Sequence, residues 1–309
     1  MSSQGLEVRY RGQFRKNMQD KMTGIESRSG NILFDVHVHI YDCFSLQNFF
    51  DSAIKNFKKE IRKNGIDADF QAIIVLTDWL KENWFQYFID SIEKNKTSYP
   101  KTIENWSFHR TKENISLVAR RTDGENIFIV AGKKIITAEN LEVLALATNM
   151  AFEVGLPLVA ILDQIKQHDA IPVIPWAVGK WIGKRGRVIK NLLDNTAEPD
   201  FFLCDNGNRP NIWPRPTFFD YAEKKGIRVL AGSDALHFAS EAYRVGSFAN
   251  LTHGTIDPDY PAMDLKKMLR NPKIRIRTYG KLEKPVRFFR NQLAMQLLKR
   301  KNRQKLIGR

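Results

Sequence analysis

Asp35-Val36-His37-Val38-His39 lies on the apolar run Ile32 to Ile40, which reads as a buried strand. Strand side chains alternate with period two, so His37 and His39 are expected on one face together with Asp35. Two neutral imidazoles leaving a strand end side by side supply half of a metal site. A second segment, Gly232-Ser233-Asp234-Ala235-Leu236-His237, follows the apolar run Ile227 to Ala231 and adds a carboxylate and a third imidazole. A barrel would bring these two strand ends together. A His-x-His pair is also an ordinary strand pattern, so the metal reading rests on both segments ending strands.

Between them, short apolar runs alternate with helical periodicity. Leu46 to Lys63 carries Leu46, Phe49, Phe50, Ile54, Phe57 and Ile61 at helical spacing, with Gly65 as the stop. Ala72 to Thr77 reads as a strand, Leu80 to Lys94 as helix-like, and Asn95 to Glu113 as a polar loop. Ile115 to Arg120 and Ile127 to Val130 read as strands paired across Asp123-Gly124. Helices are expected at Leu156 to His168, Gly186 to Leu193 and Phe218 to Lys225. Strand starts at Ile32, Ala72, Ile127, Leu141, Ile171, Phe201 and Ile227 then give seven strands. Such alternation argues for a parallel sheet with crossovers, as a barrel or a doubly wound sheet. In either fold chemistry gathers at the carboxyl ends of strands, where His37, His39, Asp78, Trp176, Asp205, Asp234 and His237 fall.

The chain has 309 residues, 43% of them hydrophobic, enough for a full core. No run is long and apolar enough for a transmembrane segment, and Met1 to Gly30 lacks the apolar stretch of a signal peptide. Cys43 and Cys204 cannot build a disulfide framework, which suits a cytoplasmic setting. Of the net charge of +15, all resides between Leu265 and Arg309, where sixteen Lys and Arg face the single acid Glu283. The expected organisation is a lead-in at 1–30, a barrel domain at 31–264 and a basic C-terminal extension at 265–309. From Lys284 that extension places Phe288, Phe289, Leu293, Leu297 and Leu298 at helical spacing. It fits a docked helix with a solvated basic end, an anionic surface, or nucleic acid phosphates.

Taken together, Asp-x-His-x-His, Leu76-Thr77-Asp78, Val130-Ala131-Gly132-Lys133-Lys134-Ile135 and Gly-Ser-Asp-Ala resemble the PHP (polymerase and histidinol phosphatase) superfamily over Ile32 to Gly246. The resemblance implies a distorted (β/α)7 TIM-like barrel, bound metal ions and phosphoesterase chemistry. It implies His37, His39 and Asp234 as metal ligands, with His237 and Asp205 as further candidates. The pattern departs at several positions. Trp79 stands for a histidine, Lys134 for a glutamate, Trp176 for a histidine, and Leu236 sets His237 one position late. The remaining ligands suit one divalent ion (Zn, Mn or Fe), or two if Asp205 joins, and Lys134 puts positive charge where the family puts metal.

Two loops add candidates. Gly179 to Arg187 is rich in glycine and base, lying between a strand and a helix. It fits an anion site built on Lys180, Lys184, Arg185 and Arg187 or a solvated loop. Cys204 to Pro210 offers Asp205 as ligand or base and Arg209 as a phosphate partner, or only a tight turn. The sequence thus predicts a metal-dependent hydrolase of a small phosphorylated substrate. Asp205, His237 and Lys180 would be its catalytic groups, and Lys134, Lys180, Arg185 and Arg209 would bind substrate. The rival readings are a catalytically degenerate barrel binding an anionic ligand or nucleic acid, and an amidohydrolase-type barrel. The latter wants further histidines on middle strands, where His109, His168 and His253 fall poorly. Glu142, which accompanies the Leu141 strand, either faces the site or, by default, solvent.

Overall fold

The computed structural model describes residues 30–63, 69–79, 82–93 and 103–307. The expected lead-in at 1–29, the helix stop at Gly65 and much of the stretch 80–102 lie outside them. The wall of the molecule is built from β1 (Gly30–Val38), β2 (Phe70–Trp79), β5 (Asn126–Ile136), β6 (Glu142–Leu146), β7 (Ile171–Trp176), β8 (Phe202–Asp205) and β9 (Val229–Ala231). These neighbour one another in that order within an 11-stranded sheet. They are the segments whose starts the apolar runs predict. Strands β1, β2 and β5 run parallel, as do β7, β8 and β9, but β6 is antiparallel to both neighbours. That reversal departs from the all-parallel expectation.

Period-two alternation sorts the buried wall residues into two cores. Phe34, Val36, Ile73, Val75, Val130, Leu144, Val173, Cys204 and Leu230 fill the interior. Helix α6 (Pro261–Arg270) adds Ala262, Leu265, Met268 and Leu269 to that interior core. The outer face of β1, β2 and β5 packs on α1 (Leu46–Lys63) and α2 (Trp84–Glu93). That of β6, β7 and β8 packs on α3 (Leu158–Gln167), α4 (Lys184–Asn195) and α5 (Thr217–Lys224). Strands apolar on both faces are what a helix-covered wall requires.

Five elements escaped the reading of apolar runs, α6 among them. Strand β3 (Trp106–Arg110) sits within the expected polar loop and pairs with β4 (Ser116–Arg121), which itself forms the expected hairpin with β5. Strand β10 (Phe248–Gly254) pairs antiparallel with β1, and β11 (Arg277–Gly280) with β10. A 3-10 helix covers Ala239–Arg244. The basic segment expected from Leu265 begins inside α6, and its next part is a sheet strand. Its remainder is α7 (Pro285–Ile307). No helix among the described residues is long and apolar enough to cross a membrane.

The barrel nearly closes between β9 and β1, where a side chain replaces a strand ladder. Asn250 of β10 is fully buried. Its amide donates to the carbonyls of Phe34 (2.9 Å) and Ala231 (2.8 Å), and its carbonyl accepts from the Ala231 N–H (2.8 Å). A buried backbone group without a partner costs about 1–3 kcal/mol. Asn250→Ala is therefore expected to lower unfolding free energy by about 3 kcal/mol or more in urea denaturation. A loss below 1 kcal/mol would show that the seam does not depend on this amide.

Candidate metal centre

The two imidazoles owe their position to a bulge. On β1, Asp35 is opposite Ile74 of β2 but Val38 is opposite Leu76, so β1 carries one extra residue. Ile32, Phe34 and Val36 face the interior, whereas Val38 and Ile40 join the outer core. The change of phase turns both His37 and His39 inward at the rim, fully buried, with Nε2 atoms 3.0 Å apart. Asp35 does not share their face. Its carboxylate accepts from the backbone N–H of Ser233 (2.9 Å), Gly246 (2.9 Å) and His37 (3.2 Å). Strict alternation through the segment is the expectation that fails, because it does not hold across a bulge.

Asp234 arrives from the other side of the seam. The Gly232 backbone passes so close to β1 that an added Cβ would lie 2.8 Å from the His37 nitrogen and nearer still to its Cβ. Only glycine fits there. Asp234 itself adopts φ of 39°, left-handed backbone that a side chain rarely occupies. It is held there by its N–H to the His37 carbonyl (2.8 Å) and by Asn208 Nδ2 on its own carbonyl (2.8 Å). Asn206 Nδ2 donates to Asp234 Oδ2 (2.8 Å). The free oxygen, Oδ1, lies 3.5 Å from His37 Nε2 and 3.7 Å from His39 Nε2. Among the described residues these three side chains form the group able to hold a metal ion, with ligand atoms all within 4.8 Å of one another. The donor set fits one. Two Nε2 atoms face to face require one imidazole to donate to the other unless a cation lies between them. Two imidazoles and a carboxylate also suit a borderline divalent ion.

Of the two placements open to Glu142 in the sequence, the structure has the one facing the site rather than the solvent-exposed default. As the first residue of an antiparallel strand, opposite Ile136, it stands at the rim where its neighbours end. Its Oε1 is 3.3 Å from His37 Nε2, and its Oε2 accepts from Lys180 Nζ (2.7 Å). The signal was a carboxylate at the start of an apolar run, and reading it required knowing the strand's direction. Burial works against ionisation of Glu142, but His37, Lys180 and Lys134 outweigh it and hold its carboxyl well below the usual range. Burial likewise opposes a charged His37, yet Asp234 and Glu142 keep it above its ordinary value. Burial, then Lys134 and His37, push His39 well below, so its ring is neutral at pH 7. Lys180 is raised, its burial more than offset by Glu142. Lys134 Nζ lies over the Trp79 ring, 5.2 Å from its centroid.

Other predicted residues stand apart. His237 is exposed and stacks on Tyr41, centroids 4.4 Å apart and planes 6° from parallel; Tyr41 in turn neighbours His39. Asp205 is bonded to Arg209 Nη1 at 2.5 Å and to the Gly207 N–H at 3.0 Å, so each is engaged by the other. The Arg209 guanidinium sits over Trp176, 5.8 Å from the ring centroid. Arg185 donates to the Gly179 carbonyl (3.0 Å). Neither His237 nor Asp205 belongs to the three-residue group. His109 pairs with Ser107, His168 lies against Phe152 and His253 is on β10 opposite Asn31, so none of them adds an imidazole to the rim. Cys43 is exposed and Cys204 is buried, its thiol pushed well up by burial.

No protein-family model matches the chain, and no curated protein does. Among solved structures it is similar to PsfC from Pseudomonas syringae, at 14% identity and TM-score 0.48, over 87% of this chain and 99% of that one. It is also similar to the lesion-specific endonuclease PfuEndoQ from Pyrococcus furiosus, at 11% identity and TM-score 0.44 over 81% of this chain. A third similar structure is endonuclease Q in complex with a 27-mer duplex bearing an abasic lesion, at 12% identity and TM-score 0.40 over 78% of this chain. The chain spans 59% and 56% of the length of these two endonuclease chains.

Asp78, next to last in β2, titrates unusually. It accepts from the Phe85 N–H (3.0 Å), and burial pushes its carboxyl up to about 6. Because that value lies above the unfolded one, its favourable contribution is full below pH 4 and is lost as pH rises through about 6. Asp78→Asn keeps the acceptor without the charge. Relative to the parent it should gain about 2–3 kcal/mol between pH 4 and pH 8 in denaturant melts. A difference that stays flat over that range would contradict this placement.

Proposed function

We propose that this rim is the active site of a metal-dependent hydrolase acting on a phosphate ester. The observation that supports it is the meeting of His37 and His39 with Asp234 across the barrel seam. These three side chains would hold a divalent ion, which when bound supplies Lewis acidity and a nucleophile from water at neutral pH. Glu142, held firmly ionised, is poorly suited to take up a proton and serves as a further donor beside His37. Lys180 and Lys134 neutralise charge on the phosphoryl oxygens. Asp205, clamped by Arg209, shapes the loop that carries Asn206 and Asn208 to Asp234. We assign proton transfer to the leaving oxygen to His237, which stands one ring away from His39 through Tyr41.

One observation favours a second reading, a barrel that binds an anion without hydrolysing it. Two cations stand beside the three-residue group, Lys180 on Glu142 and Lys134 close enough to His39 to depress it. Elemental analysis of the purified chain, followed by a phosphate-ester panel, separates the two. The hydrolase reading predicts Zn, Mn or Fe near one equivalent, and joint loss of metal and hydrolysis in His37→Ala/His39→Ala and in Asp234→Ala. Glu142→Gln should weaken metal binding, because it removes a negative charge 3.3 Å from the nitrogen that His37 would offer the ion. Metal at trace level with no ester cleaved would sink it. Anion binding that survives both chelation and the double histidine change would select the second reading.

A further inference from the structure

Among the described residues, nothing covers an apolar stripe on helix α7. Phe288 and Asn291 turn inward, Phe288 against Trp213 and Asn291 onto Glu241. Val286, Phe289, Leu293 and Leu297, spaced by three, four and four residues, share the opposite face at 82%, 61%, 63% and 51% exposure. Exposed Ile212 and Trp213 add to the apolar surface, Trp213 through its contact with Phe288. Scattered apolar residues need no explanation, but a continuous helical stripe on a soluble surface does.

Charge lies beside the stripe. A cleft of 980 Å³ between α1, the 3-10 helix and the start of α7 is lined by Lys59, Lys63, Lys281, Lys284, Arg287 and Arg290. Its base is the buried ion pair of Arg244 with Glu283, and Arg287 reaches Glu241 at 2.8 Å. Lys63 is paired with Glu60 at 3.0 Å. Among the described residues, no carboxylate pairs with Lys59, Lys281, Lys284 or Arg290. From Lys284 to Arg309 the sequence carries nine Lys and Arg and no acid.

Four exposed apolar side chains in a row, cations gathered from separate elements beside them and no acid along the helix together make a surface suited to an anionic, partly apolar partner. A second copy of the same face would bring like charges together, which argues against self-association. Nucleic acid phosphates would satisfy the cations but give Val286, Leu293 and Leu297 nothing to bury against. We propose that α7 and the adjoining cleft form a docking face for an anionic phospholipid membrane. The stripe enters the headgroup layer and the cleft receives lipid phosphates. This stands independently of the proposed hydrolysis.

Sedimentation of the full chain with unilamellar vesicles at about 0.15 M salt tests it. Binding is expected to phosphatidylcholine vesicles containing phosphatidylserine and not to phosphatidylcholine alone. Phe289→Ser/Leu293→Ser and Lys284→Glu/Arg290→Glu should each weaken that binding at least tenfold. Both pairs are surface changes, so an unshifted melting temperature confirms that the variants are folded. No binding to the anionic vesicles overturns the proposal. So does binding that the serine variant leaves intact, or a duplex DNA fragment that displaces the vesicles and binds the serine variant as well as the parent.

Discussion

Everything at the rim depends on the Asp35 carboxylate. It accepts three backbone N–H groups, and two of them, from Ser233 and Gly246, belong to chain far from β1 in sequence. Ser233 precedes Asp234 directly, and its carbonyl is held in turn by Arg244 Nε at 3.3 Å. The segment after β9 is thereby pinned to β1 on both sides. Burial pushes the Asp35 carboxyl up to about 6, against the pull of the N–H donors that favour its ionised form. A carboxylate placed at such cost, with no contact to the imidazoles, acts as a latch that fixes where Asp234 stands.

Two irregularities turn this latch into a site. The extra residue on β1 rotates His37 and His39 inward while leaving Asp35 on the outer face. The reversed direction of β6 brings Glu142 to the rim, where a parallel strand would have brought Leu146. Regular strands would have placed neither group correctly. The strained φ of Asp234 belongs with these features, because the surrounding amides over-determine it.

Much of this was legible in the chain. The apolar runs marked every wall strand, helical spacing marked α1, α3, α4 and α5, and the two end motifs named His37, His39 and Asp234. What could not be read depended on direction, phase or long-range pairing. Alternation carries no sign of a bulge, so Asp35 was grouped with the imidazoles. The run at Leu141 does not reveal its direction, so the sequence leaves Glu142 open between the site and solvent, with solvent the default. Asn250 sits in an unremarkable Phe-Ala-Asn-Leu stretch, and only the closed seam gives its amide three backbone partners. His237 and Asp205 looked like ligands from their positions near strand ends, but a stacked tyrosine and a clamping arginine engage them instead.

The proposed function places a single divalent ion at the rim, because the described residues offer one group of three ligand atoms there. Asp234 and Glu142 supply two negative charges, and Lys180 and Lys134 already oppose them. The most direct measurement is anomalous diffraction from crystals grown with Mn or Zn, collected on either side of the metal's absorption edge. One peak is expected within bonding distance of His37 Nε2, His39 Nε2 and Asp234 Oδ1. Density that refines with these atoms turned apart and no anomalous signal between them would contradict it.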